Sequence, residues 1–299
     1  MTALTALAGC ATGALRSGDP SPEYTLATHS IDVSPVEHAL YEPDDGALFG
    51  DPARTALGGI LPEGRYTTYG YRALPEDAYV AHEGSYYQTK YTVTGRRELA
   101  RTLVRVETVP EEAVPGDAVL VDSLDRPSAR TLKILHTYTR TDGETGSSDL
   151  LRDDAYVLRR PAERESRLAS GDLDGRVVRL AEDGPLAYRV RVRRERITET
   201  AYTALAVPVA DSRARFREVV FGSRIDAELD PGALDRDASE LLERALARDS
   251  YSETAPLSEP FEAVLDALGL GAVDRVANGR LLWYDGGFYR YGLYVDPDP

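Results

Sequence analysis

The sequence predicts an α+β protein made of three repeated small units, each with one or two helices packed on an antiparallel β-hairpin or sheet. Two observations predict this fold class. A hairpin pattern recurs around Gly84, Gly184 and Gly286, and helical periodicity precedes each copy. A length of 299 residues with 42% hydrophobic side chains is enough for several such units.

The hairpin pattern is the strongest internal signal in the chain. Each bend carries an acidic residue followed by glycine, a pair that accepts the positive φ angles of a tight primed turn. Residues on either side alternate between apolar and polar, which is the period expected of half-buried strands. Three such turns in comparable registers indicate an internal repeat. The bends are Glu83-Gly84, Asp183-Gly184 and Asp285-Gly286.

Helical spacing precedes the hairpins and is clearest in the last third of the chain. Asp237 and Glu240 predict a capping box at the start of one helix. Ser258 predicts the N-cap of a second helix, which is expected to stop at Gly269. Shorter helical openings are predicted at 51–61 and 125–135, and β-rich runs at 103–109, 118–122, 203–209 and 216–221.

The predicted organisation begins with a short apolar segment and a tether, which the three repeat units follow. Small residues, glycine, proline and serine dominate the tether, as in flexible linkers. One continuous mixed sheet, in which the hairpins merely look alike, is the alternative to three repeat units. The predicted boundaries are residues 1–9 for a signal-peptide remnant, 10–23 for the tether, 24–115 for the first repeat unit, 116–212 for the second and 213–299 for the third.

The start of the chain resembles a lipobox. Cys10 is the only cysteine, and it follows the tripeptide Leu7-Ala8-Gly9. In a lipobox, signal cleavage exposes a cysteine that carries a thioether-linked diacylglycerol. A secretory signal also needs a basic segment ahead of its apolar one, and no Lys or Arg precedes Cys10. Either Met1 is not the true start, or the match is accidental and the protein is cytosolic.

The charge balance restricts the partners that the sequence allows. The formal net charge is −15. We expect no basic cluster to offset it and therefore no nucleic-acid partner. A surface that is rich in carboxylates and uses arginine for lysine is typical of proteins from extreme halophiles, where salt screens self-repulsion. A generic acidic protein is the alternative. The only lysines are Lys90 and Lys133, and the only amides are Gln88 and Asn278.

The sequence contains no motif that predicts a catalytic, cofactor or metal site. None of the four histidines pairs with another at helical spacing, and no GxSxG or phosphate-binding loop occurs. His82 is the most interesting histidine because it precedes the first hairpin bend. The acidic residues around Glu42 lack the calcium-loop pattern and predict a solvated loop. We therefore predict no catalytic residue, no metal site and no cofactor, and we leave enzymatic activity open.

Aromatic residues of the hairpins are the remaining candidates for a ligand or partner site. Neighbouring strand residues point to opposite faces of a sheet, so one ring of each adjacent pair is expected to be exposed. Exposed Tyr and Trp are favoured at recognition surfaces. The alternative is that these rings fill small cores and cross-strand pairs. The candidates are Tyr86, Tyr87, Trp283, Phe288 and Tyr289.

The chain resembles uncharacterised lipid-anchored envelope lipoproteins of halophilic archaea. The resemblance rests on the lipobox at residues 7–10, the acidic low-lysine composition and the Gly-x-Tyr-Tyr hairpin. The second hairpin departs from it, with Leu186-Ala187 in place of the aromatic pair. The resemblance implies an extracytoplasmic location at the cell membrane and no particular activity.

The predicted function is a non-catalytic binding or structural role at the cell envelope. Lipidated Cys10 would attach the protein to the membrane, and a protein or cell-surface component would be its partner. Two alternatives remain open. One is an extracytoplasmic hydrolase with a carboxylate-built site, and the other is a cytosolic scaffold protein if the N-terminus is not a signal.

The halophile-like composition predicts that the fold loosens at low salt. Repulsion between carboxylates is screened over about 3 Å at 1 M salt but over about 10 Å at 0.1 M, so dilute buffer exposes the folded state to its own charge. Urea unfolding across a sodium chloride series checks this prediction. Full stability in dilute buffer would contradict it.

Overall fold

The computed structural model of the protein describes residues 21–43, 52–144, 150–180 and 186–297. The helices are α1 (Pro35–Ala39), α2 (Ala53–Ile60), α3 (Arg126–Arg140), α4 (Pro161–Arg164), α5 (Arg167–Ser170), α6 (Arg213–Arg224), α7 (Arg236–Arg248) and α8 (Glu259–Ala267). The strands are β1 (Glu23–Ser30), β2 (Tyr66–Tyr69), β3 (Tyr79–His82), β4 (Ser85–Val109), β5 (Val119–Leu120), β6 (Leu151–Arg152), β7 (Ala155–Leu158), β8 (Val177–Arg179), β9 (Ala187–Ala210), β10 (Ala227–Leu229), β11 (Ser250–Thr254), β12 (Val276–Tyr284) and β13 (Gly287–Asp296).

The α+β fold class predicted from the sequence is confirmed, since helices and mainly antiparallel sheets alternate along the chain. The chain divides into two compact units. The terminal unit combines Met1–His38 with Arg217–Pro299, and the central unit comprises Ala39–Phe216. Three separate repeated units are not shown by this division.

Two long paired strands form the middle of the central unit. β4 and β9 run antiparallel over residues 86–109 and 187–210, and we call this pair the ribbon. β3 and β7 add to the two ends of β4, while β8 and β2 add to the two ends of β9. At about 3.3 Å per residue the ribbon extends over roughly 80 Å.

Separate hydrophobic cores cover the two ends of the ribbon. α2 buries Ile60 in one cluster with Val80 of β3. α3 buries Leu135 in another cluster with Val104 of β4 and Val190 of β9. Both helices place their apolar residues three or four apart, which puts one stripe against the sheet. Between the two cores, Leu103 and Ile197 are buried in a small apolar cluster, and most of the other residues of the ribbon are charged or polar.

The terminal unit contains a five-stranded sheet in the order β10-β12-β13-β1-β11. α7 and α8 contribute Leu242 and Phe261 to its core, where they lie with Leu282 of β12 and Leu293 of β13. β1 comes from the start of the described chain and pairs with β13 and β11 from its end. Burial of these apolar side chains therefore joins two distant parts of the sequence.

The predicted hairpins are confirmed by strand pairing. β3 pairs with β4, and β12 pairs with β13, each across a two-residue bend. Glu83 and Gly84 have φ angles of 49° and 81°, and Asp285 and Gly286 have 45° and 74°. Both bends thus use the positive φ pair of a primed turn, which matches the twist of the flanking strands. β8 and β9 also pair antiparallel, and their predicted bend at residues 181–185 lies outside the described residues.

Two of the predicted helix starts are capped as the sequence indicates. Ser258 Oγ accepts a hydrogen bond from the N–H of Phe261 and begins α8. Asp125 accepts one from the N–H of Ser128 and begins α3. Gly269 follows α8 with a φ of 67°, the left-handed conformation that ends helices.

The start of α7 differs from the prediction by two residues. The N-cap is Asp235 rather than Asp237, because the Asp235 side chain accepts a hydrogen bond of 2.8 Å from the N–H of Ala238. Asp237 lies in the first turn, where its charge interacts favourably with the helix dipole. Leu241 and Leu242 lie on the buried face of this helix.

The prediction of a β-rich run at residues 216–221 is wrong. These residues belong to helix α6. Phe216 and Val220 are both fully buried and stand four residues apart, so they lie on one face of a helix. A strand would also have put both side chains on one face, but Arg217, Glu218 and Val219 between them do not alternate between polar and apolar as strand residues do.

Candidate functional site

The ribbon concentrates arginine in a chain that is acidic as a whole. Residues 96–107 and 189–199 contain nine arginines and four glutamates, so their side chains carry a net charge of +5 in a chain of −15. The antiparallel register places these two segments side by side. The expectation that no basic cluster offsets the acidic balance is therefore wrong for the folded protein, because the cluster forms only when β4 and β9 pair.

Exposed arginines lie on both faces of the ribbon. Residues that are directly opposite in register share a face, so one face carries Arg96, Arg194 and Arg196 and the other carries Arg97 and Arg193. All five are exposed. Arg196 Nη2 lies 3.2 Å from Glu98 Oε2, and the Arg97 guanidinium lies over the Tyr69 ring. Arg96, Arg193 and Arg194 make no ion pair within the described ranges, and their guanidinium groups are available to an anionic partner.

Hydrogen bonds at two places establish which backbone groups of β9 point away from β4. The N–H of Val192 donates to Asp174 Oδ1 at 2.8 Å. Further along, the N–H of Gly70 donates to the carbonyl of Thr200 at 2.9 Å. The backbone groups of an antiparallel strand alternate between its two edges. Even-numbered residues of β9 between Val192 and Thr200 therefore direct N–H and C=O to the outer edge.

The outer edge of β9 is open between these two places. Arg194, Arg196 and Thr198 direct their backbone groups outward, and no described residue pairs with them there. All three residues are exposed. An unpaired edge offers a row of donors and acceptors to any extended chain. Here the row lies next to the guanidinium groups of the same strand.

A buried ion cluster lies beside the open stretch. Glu199 of β9 is 4% exposed, and its carboxylate lies 3.0 Å from Arg159 Nε and 3.6 Å from Arg101 Nε. Arg101 Nη2 also donates to the carbonyl of Tyr69 at 3.1 Å. Burial lowers the pKa of Arg101 below its usual value, against the opposing influence of Glu199. One buried carboxylate thus compensates two guanidinium groups.

A second buried carboxylate is also fully engaged. Glu163 accepts hydrogen bonds from the Tyr156 hydroxyl at 2.6 Å and from the backbone N–H groups of Arg159 and Arg160 at 2.8 and 2.9 Å. Burial and the adjacent Glu163 raise the pKa of Tyr156. These hydrogen bonds fix the loop after β7 to the strand itself. Neither Glu163 nor Glu199 is placed as a general acid or base.

The first predicted aromatic pair divides between core and surface. Tyr86 is buried and stacks on Phe216, with ring centroids 4.2 Å apart. Tyr87 points to the other face, is half-buried and has its ring centroid 6.5 Å from that of His82. The alternation expected of strand neighbours is therefore observed, and Tyr87 is the ring of the pair that reaches solvent.

The last hairpin shows the same division. Phe288 is buried, with its ring centroid 5.3 Å from that of His38, while Tyr289 is half-buried against the terminal core. Trp283 is also half-buried and lies edge-on to Phe221 at 5.6 Å. Trp283, Phe288 and Tyr289 belong to the terminal unit, whereas Tyr86 and Tyr87 belong to the central unit.

Tyr87 lines an open depression at one end of the ribbon. The depression has a volume of about 370 Å³. Its walls come from the start of β4, with Ser85 and Tyr87, and from the segment after β9, with Asp211 and Arg215. An aromatic ring beside one anionic and one cationic group suits a small polar ligand. The strand position of Tyr87 predicts an exposed ring from the sequence alone. No sequence pattern predicts that Asp211 or Arg215 lies beside it.

Other sequence predictions fall outside what the structure describes. Cys10 and the tether before residue 21 are not among the described residues, and neither are Asp44 and Asp45 of the acidic loop. Across the described ranges, no helix is long and apolar enough to span a membrane. The same ranges hold no group of three or more His, Cys, Asp or Glu side chains placed to bind a metal ion.

Comparison with known proteins identifies no relative of this chain. No family model, no curated protein and no solved structure matches the chain.

The buried cluster predicts a large asymmetry between two glutamates of the ribbon. Glu199→Gln leaves two buried guanidinium groups without a counter-charge and is expected to cost about 3–5 kcal/mol of unfolding free energy. Glu98→Gln removes an exposed partner of Arg196 and is expected to cost less than about 1 kcal/mol. Urea unfolding of both variants at one salt concentration measures the difference. Equal losses would show that Glu199 does not hold the cluster.

Proposed function

We propose that this is a non-catalytic, lipid-anchored extracytoplasmic protein that binds an anionic partner at the cell envelope through its arginine ribbon. The single observation that carries the binding role is the +5 side-chain charge that pairing of β4 and β9 assembles in a chain of −15. Arginine forms bidentate, charge-assisted hydrogen bonds with carboxylate and phosphate groups. The exposed Arg193 and Arg194 are the residues best placed to make them.

The contrast in charge between the ribbon and the rest of the surface supports selective binding of one anionic partner over polyanions in general. A general affinity for polyanions needs a broadly cationic protein, and the remaining surface of this chain repels them. Only a partner that fits within the ribbon avoids this repulsion. The ribbon is also fixed by strand pairing and by the Glu199 cluster, so little ordering is needed on binding.

The anchored, halophilic character is proposed on the sequence features alone. The lipobox-like residues 7–10 and the tether support attachment to a membrane through Cys10. The low-lysine acidic composition supports a high-salt environment. An anchored protein with a long tether would present the ribbon to components of the envelope.

We also propose that the chain derives from three repeated units. The support is a shared order of elements: β4, β5, α3, β7, α4–α5 and β8–β9 in the central unit match β1, β10, α7, β11, α8 and β12–β13 in the terminal unit. The corresponding sheet orders are β5-β8-β9-β4-β7 and β10-β12-β13-β1-β11, with β5 and β10 both parallel to their neighbours. A third copy is supported by α2, β2 and β3–β4, in which Leu40 bridges Tyr79 in parallel.

Attachment through Cys10 is tested by substitution. Cys10→Ser removes the thiol that would carry the lipid, so the variant is expected to move from the membrane fraction to the soluble fraction after expression in a haloarchaeal host. Mass spectrometry of the wild-type N-terminal peptide should show a lipid adduct. Unchanged sedimentation of the variant, or an unmodified wild-type peptide, would contradict anchoring.

The binding role is tested by reversing charge on the ribbon. Arg193→Glu together with Arg194→Glu is expected to weaken binding of fluorescent poly-L-glutamate by at least about tenfold. A hydrogen bond to a charged group contributes about 1.5–3 kcal/mol, and an exposed ion pair contributes less. The control is Arg275→Glu with Arg290→Glu, which makes the same charge change outside the ribbon. Equal weakening by both pairs would overturn the ribbon as the binding surface.

A further inference from the structure

The open edge of β9 indicates which kind of partner the ribbon binds, an inference that rests on the proposed binding function. We propose that an extended acidic peptide segment of a partner protein adds to β9 as a third strand beside Arg194, Arg196 and Thr198. The ribbon then recognises the peptide twice, by main-chain hydrogen bonds along the edge and by guanidinium groups beside it.

Main-chain complementarity is the first argument for a peptide. Hydrogen bonds occupy the outer edge at Val192 and at Thr200, and the described residues leave the outward N–H and C=O groups between them unpaired. Residues that face one edge recur every second position, roughly 7 Å apart along the strand. A polypeptide strand presents complementary donors and acceptors at this spacing. A polysaccharide or a phosphate polymer can bind the arginines but cannot pair with this row.

Charge complementarity is the second argument. Arg194 and Arg196 extend from the same residues whose backbone groups face the open edge, and Arg193 extends from the opposite face. Acidic side chains on an added strand would lie beside them, where cross-strand pairs of opposite charge are favourable. A second copy of the ribbon does not fit, since it would set arginine against arginine.

The opposite edge of the ribbon provides an internal comparison. In β4 the register makes Arg96, Glu98 and Ala100 the residues that face outward between the flanking strands. This edge is equally open within the described ranges, but it carries one arginine and one glutamate, whereas the β9 edge carries two arginines. An acidic strand is therefore expected to choose the β9 edge.

The test uses the full chain and a short peptide of alternating glutamate and valine. Thr198→Pro removes one outward N–H and puts a ring on the edge without changing charge, and edge strands tolerate proline at such positions. It is expected to weaken peptide binding by about tenfold, the value of one or two lost hydrogen bonds. Ala100→Pro makes the matched change on the β4 edge and should leave binding unchanged. Fluorescence anisotropy measures both, and circular dichroism verifies that both fold.

A second probe keeps the test decisive if Thr198→Pro fails to fold. The same peptide with every backbone nitrogen methylated has the same charge and cannot form the strand, so wild-type protein should bind it at least about tenfold more weakly. Equal affinity for both peptides would overturn strand addition, and so would a polyuronate or single-stranded DNA that binds as tightly as the unmethylated peptide. The proposed anion-binding function would stand in either case. Loss of all anion binding in the wild type would overturn both.

Discussion

Pairing of β4 with β9 is the interaction on which the rest of the central unit depends. Each end of the pair provides the strands to which β3, β7, β8 and β2 add, and each end carries its own hydrophobic core. The register is fixed at both ends, because a shift of one residue would turn Val190 out of one core and Ala204 out of the other. The middle of the ribbon, where only a small apolar cluster around Leu103 and Ile197 is buried, is thereby held in register.

In the middle of the ribbon, ionic and hydrogen-bonded contacts add to a small buried apolar cluster. Glu199 is nearly fully buried between Arg101 and Arg159, and Gly70 lies so close to the Glu199 carboxylate that any side chain there would clash. Gly70 has a φ of 77°, which glycine adopts without strain. Buried ion pairs contribute little net stability but are costly to break. The cluster therefore acts mainly to specify how the loop after β2 meets the ribbon.

Local features of the fold could be predicted from the sequence because their causes are local. The bends at Gly84 and Gly286 and the cap at Ser258 each depend on two to four neighbouring residues. The sequence alone does not assign residues 216–221 correctly, because four apolar residues in a window of six do not separate a buried helix from a strand. The assignment needed the burial of Phe216 and Val220, which is a property of the packed chain.

The candidate site could not be predicted in the same way. Strand alternation is local and predicts Tyr87, but the basic surface joins residues 96–107, with a side-chain charge of +2, to residues 189–199, with +3. Only the long-range pairing of β4 with β9 makes their charges add. Net charge, which is a sum over the whole chain, conceals such a surface.

An open strand edge is a hazard for aggregation, and natural proteins protect such edges with charge. Arginines along the ribbon give this protection, because two copies of the edge would repel each other. The same charges that exclude a second copy attract an acidic strand. The positive charge of the β9 edge thus both prevents self-association and selects a partner. A positively charged strand is repelled, and a negatively charged strand is attracted. A protein that only needed protection would be served as well by carboxylates, which the rest of this chain uses in abundance.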